Sequence, residues 1–216
     1  LASCNPQEVM DLGAVAHLAT IAGRVPVLHF FDGFRTSHEL QKVEVWDYDE
    51  LRSMVDMEAL QAFRDRALNP ERPVLRGSAQ NPDIFFQTRE ACNSFYEAFP
   101  GVVEAYMEKV NEKAGTNYKL FNYYGHPEAE TVMVAMGSMC EAAEEVVDYL
   151  NAKGEKVGLV KVRLYRPFAA DRFAAAIPAT AKNIVVMDRC KEPGAIGEPL
   201  YQDVVTAFAG TPLGAC

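Results

Sequence analysis

Long apolar runs are what this sequence most conspicuously lacks. The longest, Val25 to Phe31, is strand length and is closed by Asp32 and Gly33. That is far short of the roughly 20 residues needed to span a bilayer, so a membrane partner is not expected. No basic stretch followed by an apolar one opens the chain, and no secretory signal is read. Cysteine is sparse and unpaired: Cys4, Cys92, Cys140, Cys190 and Cys216 form an odd set without a CxxC spacing. A structural zinc site or a local iron–sulfur loop is therefore not expected, and the thiols read as reduced, intracellular and mostly buried. Clusters of Lys and Arg are missing too. With 30 acidic against 21 basic residues the net charge is −9, which excludes a nucleic-acid footprint. GxGxxG, Walker, GxSxG and HExxH patterns are all absent, and no metal-ligand spacing stands out.

What remains is a composition suited to one or two globular domains, 49% hydrophobic and 24% charged over 216 residues. A chain that starts at Leu1 and stops at Cys216 reads as a piece of something longer, with a processed subunit as the alternative. Asn5-Pro6-Gln7-Glu8 predicts a capped helix start, and Val9, Leu12, Val15, Ala16 and Ala19 continue at helical spacing to Gly23. The run from Val25 to Phe31 then predicts a strand buried on both faces, with Leu1 and Ala2 the tail of a neighbour. Asp47-Tyr48-Asp49-Glu50 predicts a second helix start, with helical patterning to Leu68. Punctuated, extended chain follows to Pro82, and a helix is predicted over Thr88 to Ala114, interrupted or kinked at Pro100-Gly101. Gly115 to Pro127 is aromatic and turn-rich and reads as the passage into a second domain.

From Thr131 the pattern becomes regular. Strands are predicted at 131–136, 157–165 and 183–188, alternating with helices from Cys140 to Leu150, 169–176 and 199–209. Such alternation predicts an α/β unit with a parallel sheet and right-handed crossovers.

Three constellations could carry chemistry. The Gly137-Ser138 turn between strand and helix is an anion-site geometry in principle, with a plain helix cap by Ser138 as the competing reading. An independent coenzyme A or nucleotide domain built on that turn calls for a richer glycine loop. Arg163-x-x-Arg166-Pro167 and Asp188 to Gly194 both follow parallel strands and are expected to gather charges at one carboxyl edge, as a ligand edge or as a solvated salt-bridge network. The loop Arg35-Thr36-Ser37-His38-Glu39 brings hydroxyls, a histidine and a carboxylate together, although triad partners meet in space rather than in adjacent sequence. His17 and His29 read as hydrogen-bonded core histidines, and His126 as a turn residue.

Resemblance adds what the residues alone do not. The stretch at residues 30–42, Phe-Phe-Asp-Gly-Phe-Arg-Thr-Ser-His-Glu-Leu-Gln-Lys, resembles a signature of pyruvate:ferredoxin or flavodoxin oxidoreductases. Residues 7–12, 77–83, 162–168 and 188–200 agree in the same order. The resemblance implies a thiamine-diphosphate enzyme that decarboxylates pyruvate oxidatively with coenzyme A, giving acetyl-CoA and CO2. Its electrons pass through iron–sulfur clusters to ferredoxin or flavodoxin. It further implies an α/β fold in two parts: residues 1–115 as the later part of a pyrimidine-binding thiamine-enzyme domain with connecting helices, and 116–216 as a truncated three-layer α/β domain similar to the carboxyl-terminal domain of transketolase. A homodimeric parent is implied, in the cytoplasm or in an anaerobic organelle such as a hydrogenosome.

The departures from the family pattern set the expectations for this segment. The diphosphate-and-metal motif beginning Gly-Asp-Gly has no counterpart, and the cluster cysteines are absent. Thiamine diphosphate, magnesium and iron–sulfur clusters are thus expected to be held elsewhere in the parent, and the segment alone to be silent. No catalytic residue is assigned. Arg35, Thr36, Ser37 and His38 rank first as a substrate or interface loop. A non-catalytic interaction module on the same fold, and an oxidoreductase of a related 2-oxo acid, are the alternatives.

Overall fold

The computed structural model describes residues 1–75, 77–209 and 211. The first helix, α1 (Pro6–Gly23), starts as its sequence predicts: Asn5 Oδ1 accepts the Glu8 N–H at 2.8 Å and Pro6 fills the first turn. Glu8 does not complete a capping box with Asn5. Its carboxylate accepts the Cys4 N–H at 2.9 Å and pairs with Arg163 instead. Leu12, Val15, Ala16 and Ala19 are buried as one stripe. At the helix end Gly23 permits close approach to the next layer, since a Cβ there would lie 2.6 Å from the Phe99 ring.

The run from Val25 to Phe31 is not the doubly buried strand its apolar sequence predicts. Phe30 makes one isolated parallel bridge to Ala2, and Val25 is buried, but Leu28 is 78% and Phe31 41% exposed. A parallel strand needs partners on both edges and cover on both faces. Among the described residues the Leu1-Ala2 stub is its one bridged neighbour. His29 sits half-buried on this run and meets Ser3 Oγ at 2.8 Å, whereas His17 is exposed on α1, contrary to its expected core position.

Four short helices follow: α2 (Arg35–His38), α3 (Tyr48–Met54), α4 (Met57–Asp65) and α5 (Pro82–Glu90). Asp47 caps α3 in a reciprocal box with Glu50. The pattern predicted to run on to Leu68 breaks at Val55, because Asp56 Oδ1 accepts the Ala59 N–H at 2.8 Å and opens α4 afresh. Likewise the predicted 88–114 helix is divided at Ala91-Cys92, after α5, rather than at Pro100. The long α6 (Asn93–Ala114) carries Pro100 inside it, with Phe99 and Val103 buried. Helix packing overrides the missing N–H there.

The second half holds a four-stranded sheet in the order β1-β3-β2-β4, where β1 is Phe121–Gly125, β2 Thr131–Ala135, β3 Val157–Val162 and β4 Asn183–Val186. The three predicted strands pair in parallel. The aromatic stretch read as a passage contributes a fourth strand, antiparallel at the β3 edge. Alternate side chains separate into two cores. Val132, Val134, Val160 and Val162 face the large core shared with α1, α6, α8 (Ala170–Ala176) and α9 (Pro199–Phe208), while Ala135 and Leu159 pack with Cys140, Ala143 and Val147 of α7 (Met139–Ala152). Helices on both faces of one mixed sheet make a three-layer α/β arrangement. Four rings, Phe121, Phe168, Phe173 and Phe208, pack against one another at centroid distances of 5.2–5.5 Å under the α8–α9 side.

Candidate functional site

The loop after Phe31 and the turn after β2 meet at one carboxylate. Asp32 Oδ2 accepts the Ser138 N–H at 2.6 Å and pairs with Arg189 Nη1 at 2.8 Å. Arg189 Nη1 also donates to Ser138 Oγ at 3.0 Å. Ser138 is therefore no side-chain helix cap: its hydroxyl faces Arg189 and makes no capping bond to α7. Gly137 makes the geometry possible, with φ +81° and a missing Cβ that would fall 2.7 Å from Asp32 Oδ2.

A groove of about 760 Å³ opens beside this junction. Phe34, Arg35 and His38 form one wall; Ser138, Glu141 and Arg189 form the other. Of the four loop residues singled out by sequence, Arg35 and His38 reach the groove. Ser37 Oγ accepts the Phe34 N–H at 2.8 Å and lies 2.9 Å from His38 Nδ1, bracing its own turn. Thr36 is buried under the helix and does not line the groove. The turn begins at Phe34, whose φ of +66° is unusual for a residue with a Cβ, and whose ring packs 5.1 Å from that of His38.

The charges expected at one carboxyl edge are distributed instead. Arg166 pairs with Asp203 at 2.9 Å and Arg189 with Asp32, while Arg163 is only 3% exposed and pairs with Glu8 at 2.6 Å. Arg163 also hydrogen-bonds Asn122 and lies over the Tyr118 ring. Burial raises the Glu8 carboxyl pKa, but the Arg163 charge, its hydrogen bond and the Cys4 N–H outweigh this and hold it below the ordinary glutamate value. Sequence reasoning missed this pairing because nothing local links positions 155 residues apart. Asp32 reads in the sequence as the residue that closes the apolar run and opens the polar loop, with nothing local to name its partner.

The groove does not suit a phosphate. The Ser138 N–H already serves a carboxylate, and Glu141 sits in the first turn of α7, where Asn5 Nδ2 donates to it at 2.6 Å. Among the described residues no three His, Cys, Asp or Glu side chains are grouped to hold a metal ion. The described residues thus do not fit a metal-bound diphosphate. Nor, among the described residues, is any helix long and apolar enough to cross a membrane.

Residues 1–108 match the family described as pyruvate flavodoxin/ferredoxin oxidoreductase, thiamine diphosphate-binding, and residues 129–213 match pyruvate:ferredoxin oxidoreductase core domain II. The chain belongs to the pyruvate:ferredoxin/flavodoxin oxidoreductase family. It is 59% identical over 97% of its length to the pyruvate:ferredoxin oxidoreductase of Moorella thermoacetica, and 57% identical over 96% to the pyruvate-flavodoxin oxidoreductase of Enterobacter agglomerans. A pyruvate dehydrogenase [NADP(+)] of Cryptosporidium parvum is 48% identical over 99% of the chain. The chain spans 18% of the first two relatives and 11% of the third. A solved 2-oxoglutarate:ferredoxin oxidoreductase from Magnetococcus marinus overlays 64% of this chain and 20% of its own, with 19% identity and a TM-score of 0.36.

Proposed function

We propose that this chain is the scaffold joining the thiamine-binding region to the next domain of an enzyme that oxidises pyruvate. In the parent, pyruvate and coenzyme A yield acetyl-CoA, CO2, a proton and two electrons, and the electrons leave through iron–sulfur clusters to ferredoxin or flavodoxin. The observation carrying this reading is the 59% identity along 97% of the chain to a pyruvate:ferredoxin oxidoreductase. The diphosphate, its magnesium and the clusters are held by groups outside these residues, and the parent is a homodimer in the cytoplasm.

The chain's own contribution is positional. A division near residue 115 is supported by α6 ending at Ala114 with Gly115 at φ +68°, between the two family matches. Across that division the Glu8–Arg163 pair and the Asp32 junction tie the parts together. Arg35 and His38 present the loop that faces the active-site region.

The complete polypeptide carrying this segment should reduce methyl viologen when given both pyruvate and coenzyme A. Residues 1–216 alone should neither do so nor give a heat signal with thiamine diphosphate and magnesium. Turnover of 2-oxoglutarate in place of pyruvate by the complete enzyme would overturn the substrate assignment. Turnover by the isolated segment would overturn the scaffold role.

A further inference from the structure

Four free cysteines lie among the described residues, and two of them share one small core. Cys4 and Cys140 are 3% and 0% exposed and pack with Ala135, Ala143, Val147 and Leu159 between α7 and the sheet. A buried cysteine is ordinarily a small apolar filler. This pair differs because the fold sets the two thiols against each other and pins both backbones. The Cys4 N–H donates to Glu8 Oε2 at 2.9 Å, and the Cys140 N–H donates to the Gly137 carbonyl at 3.1 Å. The next residues along each chain segment are themselves joined, Asn5 Nδ2 donating to Glu141 Oε1 at 2.6 Å. Contact with the Cys140 thiol first, then burial, push the Cys4 thiol far above the usual cysteine value. Cys4 therefore stays protonated and does not open an attack on a solvent-borne reagent by itself.

We infer that Cys4 and Cys140 are a redox staple: a peroxide converts them to a disulfide joining the start of α1 to the first turn of α7. Cys140 is the sulfur a small oxidant reaches first. Ser138, Met139, Glu141 and Ala142, on either side of it, line the groove, so one helical turn stands between its thiol and solvent. Attack of the Cys140 sulfur on hydrogen peroxide breaks the O–O bond and gives a sulfenic acid and water. The Cys4 sulfur then displaces the sulfenic hydroxyl, which leaves as water with the Cys4 proton as the S–S bond forms. Two thiols lose two electrons between them, and one peroxide is reduced to two waters. The bond fastens the part matched over residues 1–108 to the part matched over residues 129–213, beside the Asp32–Arg189 contact. Nothing in this chemistry depends on which 2-oxo acid the parent oxidises.

The test uses the complete enzyme, first reduced and then exposed, folded, to hydrogen peroxide. Catalase removes the peroxide, and the chain is unfolded in guanidinium with N-ethylmaleimide to block free thiols before trypsin is added. Mass spectrometry should find the peptide ending at Arg24 joined to the peptide Leu120–Lys153, each holding one of the two cysteines. Dithiothreitol should separate them. Both cysteines recovered with maleimide attached, each oxidised separately to the sulfinic acid, or either joined to a different partner overturns the inference. Preference for this pair should vanish when peroxide is added after unfolding; an equal yield from the unfolded chain would show that the fold does not bring the thiols together. Cys4→Ser should abolish the joined peptide and leave Cys140 as a sulfenic acid that dimedone traps. A folded Cys4→Ser enzyme whose Cys140 is still alkylated after peroxide would remove Cys140 as the point of entry.

Discussion

Glu8 Oε1 and Arg163 Nη2 stand 2.6 Å apart in a nearly dry interior, joining the first turn of α1 to the end of β3. Each is useful only with the other present. A buried pair adds little over a well-packed apolar pair, but removing one partner strands a charge and costs about 3–5 kcal/mol. Arg163→Met is therefore expected to lower stability by about that amount in a urea titration. Glu8→Gln with Arg163→Met should recover most of the loss. A double variant no better than the worse single one would show that the two charges do not act as a unit.

The same pair sets a pH dependence. The folded-state pKa of Glu8 is lowered, so its contribution is fully present above the unfolded glutamate value of about 4.3 and is lost as pH falls through the lower folded value. Stability attributable to this group should stay flat from pH 7 to about 5.5 and decline in the acid range below about 4.5. Glu8→Gln should remove that part of the acid decline. An unchanged acid limb in the variant would assign the decline to other carboxylates.

Tyr118 and Asp11 make a second tie between the halves: the phenol donates to Asp11 Oδ2 at 2.8 Å, while Trp46 Nε1 donates to Oδ1 at 3.0 Å. Burial first, then the hydrogen bond to Asp11 and its charge, push the phenol's pKa well above the usual tyrosine value. Tyr118→Phe leaves the ring packed and removes one hydrogen bond to a charged acceptor, an expected cost of about 1.5–3 kcal/mol. In an alkaline titration followed by absorbance, this tyrosine should be the last to ionise, and the variant should lack that late step. Loss of an early step instead would place the phenol in contact with water.

These two ties show where sequence reading stops. The capped start of α1, the buried stripe Leu12-Val15-Ala16-Ala19 and the strands β2, β3 and β4 were legible because the signals are local: a side-chain oxygen three residues from an N–H, and apolar periods of 3.6 or a continuous run. The strand β1 was missed because its Tyr-Tyr-Gly sequence looks like turn chemistry and acquires strand character only by pairing with β3. Val25 to Phe31 misled for the opposite reason, since an apolar run states what a strand needs without supplying its neighbours. Within the site, Arg35 and His38 could be ranked from the loop's position after an apolar run. The Asp32–Arg189 contact could not, because it joins two loops 157 positions apart.

The Gly137 turn separates backbone from side-chain causes at the groove. Gly137→Ala forces a residue with a Cβ into φ +81° and drives that Cβ toward Asp32 Oδ2. The expected loss is about 1–3 kcal/mol from the backbone alone, accompanied by displacement of Asp32 from the Ser138 N–H. Asp32→Asn keeps an acceptor for that N–H and gives up only the partly exposed pair with Arg189, worth about 0.2–1 kcal/mol. The alanine variant should therefore melt lower than the asparagine one. The reverse order would mean that the ion pair, and not the left-handed turn, holds the two loops together.

Gly23 offers a test in the core. A methyl group added there would sit 2.6 Å from Phe99 Cδ2, and Phe99 is itself only 2% exposed, with no room to rotate away freely. Gly23→Ala is expected to cost about 1–3 kcal/mol through overpacking, more than offsetting the alanine's better helix propensity. Phe99→Leu alone should also destabilise, by leaving a cavity. Combined, the two changes should cost clearly less than the sum of the singles, because the smaller side chain vacates the space the new methyl needs. Strict additivity in a double-mutant cycle would show that the close crossing of α1 and α6 does not depend on the missing methyl.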